Sequence, residues 1–96
     1  MEKGGWVYIV TNRPRGTLYT GVTSDLPRRA HQHRTGAVEG FTKRYRLRLL
    51  VWFERHEDIV EAIAREKTLK RWHRAWKFEL IESLNPNWDD LYARIV

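Results

Sequence analysis

Residues 6–22 read WVYIVTNRPRGTLYTGV, and the way this stretch is punctuated decides the fold. Trp6 to Thr11 is a run of β-branched and aromatic residues that suits a strand. Asn12-Arg13-Pro14-Arg15-Gly16 supplies turn chemistry, and Thr17 to Val22 returns with strand-favouring composition. The stretch reads as a β-hairpin. With its loop centred near Arg13 and Pro14, Tyr8 and Tyr19 stand opposite or nearly opposite each other and project from one face of the ribbon. Gly21 lies beside them; a glycine in a short strand marks either a bulge or the close approach of a backbone or ligand.

Outward from the hairpin, Thr23-Ser24-Asp25 offers a choice of N-caps, Pro27 fits a first helical turn and Gly36 a stop, which predicts a helix from about Leu26 to Arg34. On it Arg29 and His33 share a face, and Leu26, Ala30 and His33 form the inward stripe. Thr35 to Tyr45 reads as a loop. Arg46 to Phe53 reads as a third strand, Leu47, Leu49, Val51 and Phe53 alternating with Arg48, Leu50 and Trp52. Glu57 and Asp58 open a helix from Ile59 to about Trp72. Another follows from about Arg74 to Leu84, with Trp76, Leu80, Ile81 and Leu84 on its buried side. Asn85-Pro86-Asn87 ends it, and Trp88 to Val96 suggests a short closing helix with Trp88, Leu91 and Ile95 as apolar contacts. The order ββαβαα predicts an α+β domain: a small mixed three-stranded sheet flanked by helices.

Ninety-six residues, 42% of them apolar, suit one domain spanning 1–96 that folds alone. No cysteine is present, which excludes thiolate metal sites, disulfides and cysteine nucleophiles. Met1 to Gly5 lacks the apolar run of a signal peptide, and no stretch nears the ~20 apolar residues that span a bilayer, so a soluble cytoplasmic protein without a membrane partner is expected. Lys and Arg number 18 against 12 Asp and Glu. The excess sits in two blocks: Arg28, Arg29, Arg34, Lys43, Arg44, Arg46 and Arg48 against Glu39 alone, and Arg65, Lys67, Lys70, Arg71, Arg74 and Lys77 against Glu66 alone. Clustered positive charge concentrates polyanions and gains free energy from counterion release; on its own it fits a solvated surface equally well.

Glu66 is the most informative position. On a helical projection it falls within the stripe of Ile59, Ala62, Ile63 and Leu69, so its carboxylate faces inward or into a cleft, where it needs a partner. Two readings stay open: an internal ion pair, to Lys70 or Lys67, and a bound metal. There is no phosphate-binding Walker loop and no GxSxG elbow, which sets aside P-loop nucleotide hydrolysis and serine acyl transfer. His31, His56 and His73 lack metal-ligand spacing. What remains is Tyr8, Tyr19, Arg29, His33 and Glu66 within a very basic chain.

Taken together these positions resemble the GIY-YIG nuclease superfamily, in particular its short, stand-alone bacterial members. The first motif matches Trp6-Val7-Tyr8, with tryptophan in place of glycine. The second matches Tyr19-Thr20-Gly21, with threonine in place of isoleucine. Thr23-Ser24-Asp25-Leu26-Pro27-Arg28-Arg29 is similar to the family's pattern entering its first helix, with His33 one turn later. Glu61-Ala62-Ile63-Ala64-Arg65-Glu66-Lys67 looks like the helix that carries its metal-binding glutamate, and Leu84 to Leu91 resembles the tail. The family's late asparagine corresponds to Asn85 or Asn87.

The resemblance implies an endonuclease that hydrolyses DNA phosphodiesters with one divalent metal, Mg²⁺ or Mn²⁺, and no small-molecule cofactor. Glu66 ligates the metal, Arg29 grips the transition state, Tyr8 positions and deprotonates water with Tyr19 as the other candidate, and His33 bonds to a tyrosine or the phosphate or serves as a second base. Arg28, Lys43, Arg44, Lys70 and Arg71 are the candidates for backbone contacts, to DNA more than RNA. Two other readings stand beside this one: a non-catalytic module that holds structured or branched nucleic acid, and an interaction protein whose five tryptophans form a partner surface.

Overall fold

In the computed structural model, which describes residues 4–38 and 40–96, the hairpin forms as the turn chemistry dictates. Strand β1 (Gly5–Thr11) pairs antiparallel with β2 (Leu18–Thr23) and, on its other side, antiparallel with β3 (Leu49–His56). The strand order is β2-β1-β3, and both pairings are antiparallel, in place of the mixed sheet expected from the sequence. The loop closes on Asn12 Oδ1, which accepts from the Thr17 amide at 3.0 Å, while Gly16 N donates to Arg13 O and Arg15 takes φ 54°. This centres the turn further along the chain than Arg13-Pro14, so Tyr8 pairs with Gly21 and Tyr19 with Val10. The two tyrosines still share a face, as diagonal neighbours rather than opposite partners.

Helix α1 (Leu26–Thr35) is capped by Asp25, whose side chain accepts from Arg28 N, and ends at Gly36 with φ 73°; Leu26, Ala30 and His33 are its buried residues. The segment expected as loop up to Tyr45 contains a four-residue helix, α2 (Phe41–Arg44); Glu39 within that segment lies outside the described residues. Helix α3 (Ile59–Lys70) starts at Asp58, which caps Val60 N at 2.8 Å, and stops two residues short of Trp72. Helix α4 (Arg74–Leu84) has the expected bounds, and α5 covers only Tyr92–Ile95.

The sheet is filled on both faces. Val7 and Ile9 pack with Val51, Trp52, Ala62, Leu69, Ile81 and Trp88 towards α3 and α4. Tyr8 and Val10 pack with Leu26, Ala30, Leu47, Leu50 and Leu91 towards α1 and the tail. Strand β3 begins later than Arg46 and does not alternate strictly. A bulge opposite Ile9 and Val10 puts Val51 and Trp52 on the same side, and Leu50, Val51 and Trp52 are all buried. Trp76 and Leu84 are exposed, as is Ile63, against the expectation for α3 and α4; α4 buries only Ile81 completely. The outer edge of β3 is covered by the tail: Leu91 N donates to Leu50 O, Leu50 N to Asp90 Oδ1, and Asn85 Nδ2 to Val51 O. Among the described residues no helix is long and apolar enough to cross a membrane.

Candidate functional site

Strand β2 is an edge strand, with α1 on one face of the sheet and α3 packed against β1 and β2 on the other. Around that edge the structure brings together all five residues singled out from the sequence. Tyr8 is buried in the central strand and needs room there. Its paired residue on β2 is Gly21, where a Cβ would lie 2.5 Å from Tyr8 Cζ and Oη. Gly21 is thus not a bulge: the missing side chain is the space the phenol occupies.

The Tyr8 hydroxyl lies 2.9 Å from His33 Nε2, reached from the inward stripe of α1, while His33 Nδ1 has no hydrogen-bond partner among the described residues. Both side chains are almost wholly removed from water. Burial pushes the Tyr8 phenol up to about 12, although the Arg29 guanidinium beside it pulls the other way; the charges of Tyr19 and Glu66 add to the rise. Burial likewise pulls His33 down to about 4, helped by Arg29. At neutral pH the pair is therefore an uncharged phenol against an uncharged imidazole, with a cation alongside.

Tyr19 is half-buried and closes the cluster. Its ring centroid lies 6.1 Å from that of His33, and Lys70 Nζ from α3 sits 5.6 Å from its centre. Lys70 also pairs with Glu66, Nζ to Oε2 at 3.1 Å. Of the two partners left open for Glu66 on its own helix, Lys70 is the one that engages it. The carboxylate is 13% exposed and the lysine 48%, so the acid is sheltered while its partner reaches out to solvent. The donor chemistry fits a hard divalent ion: Glu66 offers carboxylate oxygen, and its present cation is a flexible side chain that can move aside. Among the described residues no three His, Asp or Glu side chains gather as a metal cage.

The candidate backbone-contact residues are placed unevenly. Arg28 and Arg29 line a polar cavity of about 290 Å³ at the start of α1, with Thr23, Ser24, Asp25 and Gln32. Lys70 belongs to the Glu66–Tyr19 corner. Arg44 lies over the Tyr45 ring, Lys43 is exposed on α2, and Arg71 is the exposed C-cap of α3. Of the two asparagines near the end, Asn87 is exposed, whereas Asn85 is buried and ties the tail together: Nδ2 donates to Val51 O and Asp89 O, and Oδ1 accepts from Asp89 N. Sequence reasoning missed Phe41 and Tyr45, which α2 sets beside Tyr19; their i,i+4 spacing within Phe41-Thr42-Lys43-Arg44-Tyr45 was the available signal.

Comparison with known proteins agrees with this arrangement. The family model for the GIY-YIG catalytic domain matches residues 4–79, which takes in Tyr8, Tyr19, Arg29, His33 and Glu66. A UPF0213 protein of Staphylococcus aureus is 38% identical over 77 residues, covering 80% of this chain and 93% of the relative. A UPF0213 protein of Desulfotalea psychrophila is 28% identical over 92 residues, 95% of this chain and 84% of the relative. No solved structure matches the chain significantly. From the family match over most of its length and the hairpin, α1 and α3 that carry the motif positions, the chain belongs to the GIY-YIG catalytic-domain family.

Proposed function

We propose that this protein is a divalent-metal-dependent endonuclease that hydrolyses DNA phosphodiester bonds. The observation that carries the reading is the convergence of Tyr8, Tyr19, Arg29, His33 and Glu66, from β1, β2, α1 and α3, on one edge of the sheet. Packing alone gives no reason to collect two phenols, an imidazole, a guanidinium and a carboxylate there.

In this reading the phosphate enters between Arg28 and Arg29 at the mouth of α1, where guanidinium forks match phosphate oxygens. Arg29, beside Tyr8, stabilises charge that builds on the phosphoryl oxygens as water attacks. Glu66 would hold Mg²⁺ or Mn²⁺ in place of Lys70, and the ion would supply Lewis-acid charge to the phosphate and the leaving oxygen. Tyr8 Oη takes a proton from the attacking water while its own proton passes to His33 Nε2, 2.9 Å away. A neutral His33 is free to accept; burial, then the Arg29 field, holds it neutral, and the incoming phosphate offsets the second of these. Tyr19, the more accessible phenol, orients the water. Lys70, released from Glu66, joins Lys43, Arg44 and Arg71 as a contact to the strand backbone.

The other reading is a module that holds branched nucleic acid without cutting it. Supercoiled plasmid incubated with Mg²⁺, Mn²⁺ or EDTA separates the two. Metal-dependent nicking by the wild type, lost in folded Glu66→Ala and Arg29→Ala variants, is the expected result. Salt-sensitive DNA binding by all three proteins with no cutting of plasmid or branched DNA in any metal would leave the binding module as the better account.

A further inference from the structure

The site is flanked by an aromatic surface that the reaction does not require. Phe41 and Tyr45 are 47% and 45% exposed, their ring centroids are 4.7 Å apart, and Phe41 lies 6.5 Å from the Tyr19 ring. Arg44 caps the outer side of Tyr45 at 5.7 Å. The segment that presents them is fixed from beneath. Leu47 N donates to Thr42 O and Arg46 N to Lys43 O, the pairing of a Schellman stop, with Arg46 in the left-handed region at φ 56°. Thr42 and Leu47 are buried as anchors, so the backbone is held while both rings face water.

Large aromatics bury well over a hundred square ångströms each when packed, and two left exposed in contact with each other mark a surface with something to bind. Their setting says what. Lys43, Arg44, Arg46 and Arg48 lie in the same stretch of chain, which fits a polyanion, and Tyr19 stands between Phe41 and His33 of the neighbouring site. An uninterrupted duplex keeps its bases stacked on one another and offers phosphates only, for which lysine and arginine suffice. A ring gains from nucleic acid when a base is out of the stack. The separation from Tyr19 corresponds to roughly two steps of a single strand at ~3.4 Å each.

We propose that Phe41 and Tyr45 form a stacking platform for an unpaired nucleobase next to the phosphate held at Tyr19 and Arg29, which makes the substrate DNA with single-stranded character beside the cut: a gap, flap or loop. The proposal rests on the nucleic-acid reading of the neighbouring site. The test measures binding in EDTA of a labelled duplex and of the same duplex with a short single-stranded gap carrying 2-aminopurine. The proteins are the wild type, a Phe41→Ala/Tyr45→Ala variant checked for folding by circular dichroism, and the aromatic swap Phe41→Tyr/Tyr45→Phe.

The wild type is expected to prefer the gapped DNA by roughly five- to a hundredfold, the worth of one stacked base, and to quench the 2-aminopurine. The alanine variant is expected to lose both the preference and the quenching, and the swap to keep them. Equal affinity of the wild type for the two DNAs, or a preference that survives in the alanine variant, overturns the platform. If metal-dependent nicking of plasmid persists in that case, the nuclease reading stands without it. Absence of salt-sensitive binding to any DNA removes both.

Discussion

His33 makes the stability of this protein depend on pH in a window where few other groups titrate, and the size of the effect follows from its burial. In the unfolded chain its imidazole has a pKa near 6.5; in the fold, burial and then Arg29 hold it at about 4. The folded state therefore resists a proton that the unfolded state accepts. Stability from this group is fully present above 6.5 and is lost as the pH falls towards 4. Between pH 7 and pH 5 the two-pKa linkage gives a loss of about 2 kcal/mol at 25 °C. With a urea m-value of roughly 1–2 kcal/mol/M the denaturation midpoint drops by about 1–2 M over that range. Urea titrations at half-unit intervals of pH measure it, and the His33→Gln variant, which keeps a hydrogen-bonding group for Tyr8, is expected to lose most of the slope. Identical slopes in the two proteins, or an imidazole carbon resonance of His33 that titrates near 6.5 in the folded protein, would refute the reasoning.

Three substitutions probe the frame of the site. Gly21→Ala puts a methyl group 2.5 Å from Tyr8 Cζ and Oη, so it is expected to destabilise by about 1–3 kcal/mol in urea and to abolish nicking through displacement of the phenol. Asn85→Ala removes two donations and one acceptance at a buried position and is expected to cost about 2–3 kcal/mol in thermal or urea unfolding; a loss under about 0.5 kcal/mol would mean the tail does not depend on it. Arg46→Gly relieves a left-handed backbone on a non-glycine residue and is expected to raise stability by about 1 kcal/mol, and a decrease would show that the arginine side chain holds α2 in place.

The local grammar of the sequence carried most of the frame. The hairpin, Asp25 and Gly36 bounding α1, Asp58 opening α3 and the Leu26, Ala30, His33 stripe all depend on near neighbours, and near neighbours are what a sequence displays. What it concealed depends on distant contacts. The register of β2 against β1 turns on where Asn12 Oδ1 and the Arg13–Gly16 bond close the loop, and several residues there had suitable turn chemistry. The bulge in β3 lets Val51 and Trp52 share a side, which no alternation pattern foretells. Trp76 and Leu84 fall on an apolar stripe of α4, but a 96-residue chain has little core left to cover them. The burial of Trp88 was legible, but its left-handed turn at φ 57° and its edge-on contact with Phe78 were not. Among the site residues, the five side chains were legible as types at spacings; that Gly21 is the berth of Tyr8, and that Lys70 holds Glu66, required the packed structure.

The Glu66–Lys70 pair bears on why a proposed nuclease stores its key carboxylate in an ion pair. A pair four residues apart on a helix with one partner half in solvent contributes at most about 1 kcal/mol, so a divalent ion would displace the lysine at little expense. Without the lysine, Glu66 would face the Tyr8 hydroxyl and an approaching phosphate as an unbalanced negative charge, and both would be repelled. With it, the Glu66 charge is balanced, and the same ammonium stands 5.6 Å from the Tyr19 ring. In the proposed nuclease the same residue would serve two charge states, standing in for the ion before binding and adding to the basic surface afterwards. A permanent binder gains nothing from a carboxylate that must be neutralised by its neighbour, since replacing the pair by a single exposed lysine would hold phosphate better. The pairing is therefore easier to account for in a site that exchanges one cation for another than in one that only grips a polyanion.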